Sequence, residues 1–191
     1  MMVDIKERGG FMSTKHLLYV ALFAALIAIG AQIRLPIGPV PVTMQVPMVL
    51  LAGLMLGPKL GALSALVYML MGLVGLPVFA GGGGIGSLVS PSFGFIVGYI
   101  PAAWLAGFGA AHKSSSARAI SFALAATAVI FLFGFLYFIF IMNVVLDTPM
   151  SAVAAFKVAI LPFILKDVAV AVVTSMFARM LHTRGLHLAN G

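Results

Sequence analysis

No cysteine occurs in the 191 residues, which excludes disulfides and thiolate metal sites. Acidic groups are nearly as scarce: four Asp and Glu stand against eleven Lys and Arg, and charged residues make up only 8% of the chain. A water-soluble domain cannot cover its surface with so few charges when 63% of its residues are hydrophobic and the mean hydropathy is +1.21. The chain therefore reads as an integral membrane protein, in one domain. Its net charge of +7 does not point to nucleic acid, because the basic residues are scattered at the ends of apolar segments. Catalytic groupings are also missing. His16, His112, His182 and His187 fall at span ends or in tails with no carboxylate cluster at metal-ligand spacing, and no serine has a His or Lys placed to activate it. Neither a metal site nor an enzyme is expected.

What is present is a series of apolar runs. A helix needs about 20 residues to cross a bilayer, and by that measure spans fall near 16–33, 46–57, 59–76, 93–111, 118–145 and 156–181. The first is too long for a signal-peptide core and lacks a small-x-small cleavage site, so it is retained. The second is short: its twelve residues cover only about 18 Å. With six spans, Lys6, Arg8, Lys15, Lys59, Lys113, Arg118, Arg179 and Arg184 share one side, and only Arg34 and Lys157 lie opposite. That asymmetry predicts both termini in the cytoplasm. The expected architecture is an all-α six-transmembrane-helix bundle over 16–182, in the cytoplasmic membrane, with tails at 1–15 and 183–191.

The elaborated connections are the outer ones. Residues 34–47 contain Pro36, Pro39, Pro41 and Pro47, which makes this loop extended and stiff, and its apolar character predicts that it packs onto the bundle. Residues 80–92 carry Gly81–Gly84, Gly86 and then Ser90-Pro91-Ser92, where glycine permits positive φ and close backbone approach. No Gly-Lys-Ser/Thr follows, so this is no nucleotide loop, and any use of ATP has to come through a partner. A ligand site is expected beneath these outer loops.

Lys166 and Asp167 lie inside the last apolar run. Ionisable groups in a span cost about 2.5–3.5 kcal/mol each and usually face a functional cavity. As helical neighbours they point about 100° apart, so each is expected to have its own partner. Gln45, Ser92, Tyr99 and Asn143 are the other polar groups expected at similar depth. On the first helix, Ala21/Ala25 and Ala24/Ala28 form small-xxx-small pairs, suited either to internal packing or to docking of another membrane protein. Gly53/Gly57, Gly57/Gly61 and Gly94/Gly98 repeat the spacing and read as internal packing.

Pro39-Val40-Pro41-Val42-Thr43-Met44-Gln45 and the run Leu51–Ser64, then Gly72-Leu73-Val74-Gly75-Leu76-Pro77-Val78-Phe79-Ala80-Gly81-Gly82, Ser90–Tyr99 and Leu161-Pro162-Phe163, resemble the BioY family. These are biotin-specific substrate-binding S components of energy-coupling-factor (ECF) transporters. The likeness covers the chain after residue 16 and places Asp167 at the family's acidic position. Many members have Gly-Pro-Thr-Gly-Gly-Tyr where this chain has Ser90–Phe95, and a Lys one turn after the acid where this chain has Val170. The resemblance implies biotin captured in the outer half, and docking on a membrane-embedded coupling (T) subunit through Ala21, Ala24, Ala25 and Ala28. Two cytoplasmic ATPases would use the ATP, the chain itself holding no cofactor. On that basis Asp167 accepts a ureido N–H and Gln45 adds a polar contact. Lys166 or the amides of Gly81–Gly84, Gly82 and Gly83 among them, hold the carboxylate. Phe79, Phe93, Phe95 and Tyr99 form walls, and Asn143 lies nearby. The rival readings are a stand-alone secondary transporter or channel using Lys166 and Asp167 as an ion relay, and an intramembrane enzyme. No inverted repeat supports the first and no catalytic cluster the second.

Overall fold

The computed structural model describes residues 12–36, 38–110, 115–186 and 188, so Lys6, Arg8, His112, Lys113 and His187 lie outside the described residues. Helix α1 (Thr14–Gln32) leads into two short antiparallel strands, β1 (Arg34–Leu35) and β2 (Val42–Thr43). Then follow α2 (Gln45–Leu73), α3 (Phe93–Gly107), α4 (Ser116–Phe140), the short α5 (Ala152–Ala159) and α6 (Leu161–Thr183). Ser13, Ser115 and Ser151 cap α1, α4 and α5 by accepting the amides of His16, Arg118 and Ala154. The long helices are apolar on nearly every face, as helices bathed in lipid must be.

Helix α2 is two helices. Gly57 has φ 78° and ψ 178°, a backbone conformation outside the helix, and Pro58 follows it. In a straight helix Gln45 and Tyr68 would stand about 34 Å apart; instead Gln45 Nε2 donates to the Tyr68 hydroxyl at 2.7 Å. The limbs 45–56 and 58–73 therefore run antiparallel, with Pro58 opening the second limb, where its missing N–H is harmless. Five stretches are long and apolar enough to cross a membrane, and the reversal at Gly57 turns one of them into two. The six-helix bundle stands, with its short second helix.

Small residues make the reversal tight. A Cβ on Gly61 would fall 2.7 Å from Gly53 Cα, and one on Gly53 would strike the Ala103 carbonyl of α3. Gly107 likewise lies against Gly57 and Pro58, while Gly94 and Gly98 lie against α4. These glycines are internal packing positions, and α2 sits at the centre of the bundle between α1, α3 and α6. Val49, Leu50, Ala52 and Leu54 of its first limb are buried.

The last expected span, 156–181, is corrected. Helix α5 ends at Ala159, Ile160 leaves helical geometry at φ −123° and ψ −53°, and α6 starts at Leu161. Pro162 is the physical reason: its ring would clash with the carbonyl four residues back, and the chain breaks before it so that Pro162 falls in the first turn of α6, where it is tolerated. The proline-rich loop is extended as expected, and it closes on itself as a hairpin with Arg34 opposite Thr43. Its end is tied to α1 by the Met44 amide, 3.0 Å from the Gly30 carbonyl.

Replacing Gly61 with Leu is expected to overpack the limb interface, an effect of about 1–3 kcal/mol. Thermal unfolding in detergent checks it. The variant should melt about 5 °C or more below wild type, whereas Leu132→Ala, at a position 54% exposed on α4, should not.

Candidate ligand-binding site

Each crossing reverses direction, so the connections 33–44, 74–92 and 146–160 gather at the end opposite the termini. Beneath them lies a cavity of about 270 Å³. The hairpin contributes Val40, Pro41 and Thr43, and the start of α2 contributes Gln45 and Val46. The glycine-rich loop adds Phe79, Ala80, Gly81, Gly83, Gly86, Ser87, Ser90 and Ser92. Phe93, Phe95, Ile96 and Tyr99 come from α3, Ile130 and Phe131 from α4, and Phe163, Lys166 and Asp167 from α6. Mostly apolar walls with a few convergent polar groups are what a small-molecule site requires.

Asp167 is 2% exposed. Lys166 Nζ lies 2.7 Å from its Oδ1, so the expectation of separate partners is corrected. The 100° between neighbouring helical side chains separates their first bonds, but the flexible four-carbon arm of lysine folds back across that angle. Among the described residues, the Lys166 ammonium is the partner of Oδ1 and no other N–H or O–H donates to that oxygen. Lys166 Nζ donates instead to the Thr43 carbonyl at 2.9 Å, bridging α6 to the hairpin.

Gln45 is held at both ends. Thr43 Oγ1 donates to its Oε1 at 3.0 Å, its Nε2 donates to the Tyr68 hydroxyl at 2.7 Å, and Tyr68 donates onward to the Val78 carbonyl at 3.3 Å. One amide hydrogen and one carbonyl lone pair remain for a ligand. The Tyr99 hydroxyl shares these surroundings with Thr43, Tyr68 and Asp167. Aromatic rings wall the space: Tyr68 meets Phe79 edge-on at 5.4 Å, and Phe79 meets Phe93 at 6.2 Å. Phe79 packs onto Gly72, where any side chain would occupy the ring's place.

The glycine loop is a built structure. Phe79 and Gly82 exchange both backbone hydrogen bonds, at 2.8 and 3.0 Å, and the Gly84 amide donates to the Gly72 carbonyl at 2.7 Å. Gly82 and Gly84 have φ of 117° and 95°, which side chains rarely adopt. The amides of Gly82 and Gly84 are thus spent on Phe79 and on Gly72 of α2, while Gly81 and Gly83 line the cavity.

The structure brings together Gln45, Phe79, Gly83, Phe93, Phe95, Tyr99, Lys166 and Asp167. Gly82 and Asn143 are placed elsewhere. Asn143 Nδ2 donates to Ile139 and Met150 carbonyls at 2.9 and 3.2 Å, and its Oδ1 accepts the Met150 amide at 2.7 Å. It clamps the turn beyond α4, where Ile141–Val145 continue as a π-helix. On α1, Ala24 is fully buried against the core, so it belongs to internal packing. Ala21 and Ala25 are exposed and Ala28 is half-buried. Ser87, Ser90, Ile130 and Phe163 line the cavity without having been singled out from sequence. Thr43 and Ser90 did carry a signal, as hydroxyls in otherwise apolar loops, whereas nothing separates Ile130 or Phe163 from other core residues. Among the described residues no cluster of His, Asp or Glu can hold a metal.

Comparison with known proteins agrees with this arrangement. A sequence profile of the BioY family matches residues 4–186. The chain is 40% identical over 171 residues to a probable biotin transporter BioY of Pyrococcus horikoshii, covering 89% of this chain and 98% of that one. It is 36% identical over 165 residues to the biotin transporter BioY of Thermotoga maritima, covering 86% and 94%. A crystal structure of the S component for biotin from an ECF-type ABC transporter superposes with a TM-score of 0.76 at 27% identity, covering 91% of this chain and 95% of that one. By the length of the match and the level of identity, this multi-pass membrane protein belongs to the BioY family.

Proposed function

We propose that the protein captures biotin at the outer face of the cytoplasmic membrane, as the substrate-binding S component of an ECF-type transporter. Asp167 carries the reading: a buried carboxylate lining the cavity, with the Lys166 ammonium as the charged partner of one oxygen. A carboxylate oxygen accepts more than one hydrogen bond, so a ligand N–H directed at it adds a charge-assisted hydrogen bond in a buried setting. The ureido ring of biotin supplies such an N–H, and its carbonyl takes the remaining amide hydrogen of Gln45. The thiophane and valeryl carbons lie against Phe79, Phe93, Phe95 and Tyr99. The names of the relatives and of the matching crystal structure support biotin over other ureido compounds.

Driving transport with ATP requires partners, because the 191 residues carry no nucleotide motif. A membrane-embedded coupling subunit docks on α1, and two cytoplasmic ATPases use the ATP. Ala21 and Ala25 are exposed on α1 and one helical turn apart, so they let a partner helix approach closely. Ala28 extends that strip, while the buried Ala24 lies outside it. The cytoplasmic tails precede α1 and follow α6, so Thr14, Lys15 and Thr183, expected in the tails, belong to the helices, and the bias of basic residues supports a cytoplasmic side for both ends.

Calorimetric titration of the purified protein with biotin tests the site. Asp167→Asn is expected to weaken binding more than tenfold, and unchanged affinity would refute the assignment. Tyr68→Phe removes the partner of Gln45 Nε2 and the bond to the Val78 carbonyl, and the net value of the Gln45 bond, about 0.5–1.5 kcal/mol, predicts a loss of twofold to about tenfold. Trp at both Ala21 and Ala25 should abolish co-purification with the coupling subunit while leaving the biotin Kd unchanged. Retained co-purification would move the docking face elsewhere.

A further inference from the structure

Lys166 and Asp167 are the only ionic side chains among the described residues lining the cavity, and they stand 2.7 Å apart. The ion pair leaves the site with no net charge. Lys166 is also engaged by the Thr43 carbonyl, and a ligand carboxylate that drew it away would strand a buried Asp167. The cavity therefore holds no cation in surplus for an anionic ligand.

Its two polar ends also differ in access. Asp167, Gln45 and Tyr99 are buried, whereas Gly81, Gly83 and Gly86 are exposed, so the open end lies at the glycine-rich loop. The donors at that end are uncharged. The amides of Gly81 and Gly83 are unspent within the loop. Ser90 Oγ and Ser92 Oγ stand 2.9 Å apart, and since one donates to the other, the pair retains one O–H to give. Arg34 and Lys157, the other described cations near this end of the bundle, are exposed and do not line the cavity.

We propose that the site recognises its ligand by the ureido head and holds the tail through uncharged donors at the open end. It then takes a wider class than the free acid: ureido ligands whose tail carboxylate is converted to a neutral amide, including amides that carry a further group out of the mouth. The proposal rests on the reading of biotin as the ligand. Calorimetric titration of the purified full-length protein with biotin, biotinamide and biocytin decides it. Both amides are expected to bind within tenfold of biotin, a difference below about 1.4 kcal/mol. Biotinamide binding more than tenfold weaker than biotin overturns the proposal and assigns the carboxylate to a cation. A biotin Kd raised more than tenfold by Arg34→Gln does the same and names the cation. Tight biotinamide with biocytin more than tenfold weaker overturns the open mouth. Absence of biotin binding is a different failure, that of the biotin reading itself, and it shows in the first titration before either amide is used.

Discussion

A carboxylate at the depth of Asp167 has no water to stabilise it, and an unpaired charge in such surroundings is not tolerated. Lys166 supplies the opposite charge from the next residue, and in doing so reaches the Thr43 carbonyl at 2.9 Å. That contact joins α6 to the hairpin, while the neighbouring Met44 amide joins the hairpin to α1 through Gly30. Thr43 and Gln45 carry the connection into α2 and on to Tyr68. One ion pair thus sits at the head of a polar network touching most of the elements around the cavity. Such networks fix geometry when each member is satisfied, and the carboxylate that faces the cavity keeps acceptor capacity beyond its ion pair.

The reversal at Gly57 makes room for this network. The first limb of α2 runs 45–56, about 18 Å of helix in a hydrocarbon layer about 30 Å thick. The remaining depth is filled by the hairpin, the glycine-rich loop and the cavity between them. Irregular backbone is tolerated at membrane depth only when buried in protein or lining a cavity, and the cavity-lining parts of both loops, Val40 and Thr43 in one and Phe79 and Ala80 in the other, meet that condition. Gly53, Gly61 and Gly107 permit the close approach that holds the short limb at the centre of the bundle.

Much of this was legible because it rests on composition and on residues with restrictive geometry. Apolar run lengths mark the helices, Gly57-Pro58 marks the reversal, and the prolines of 34–47 mark an extended loop. The aromatic residues and Gln45 converge because they flank the outer loops, which the count of crossings places together. The errors share a different cause. Lys166 and Asp167 were expected apart because helical phase describes Cβ directions and says little about where a long side chain ends. Asn143 is a polar group at the right depth, yet its amide is consumed by a turn whose shape no pattern announces. Ala24 has the same spacing as Ala21, and only the packed structure shows which of the two faces inward. Tyr68, which orients Gln45, is invisible until the two limbs of α2 are seen to run side by side.

In the proposed docking mode, ligand capture and partner docking are separated at α1. Ala21 and Ala25 lie near its middle, whereas Gly30 and Ile33 meet the hairpin at the cavity end. None of the described residues of α1 lines the cavity, so a partner on the alanine strip would not touch the ligand. Any influence of one on the other has to pass through the body of α1. That path has a rigid far end. A Cβ on Gly30 would sit 2.5 Å from the Met44 carbonyl oxygen, so helix and hairpin meet backbone to backbone with no flexible side chain between them. Displacement of α1 would carry Met44 with it, and with Met44 the adjoining Thr43 carbonyl that holds Lys166 beside Asp167. The ion pair that organises the cavity is therefore also the part of the site most directly exposed to movement of α1, the helix on which partner docking is proposed.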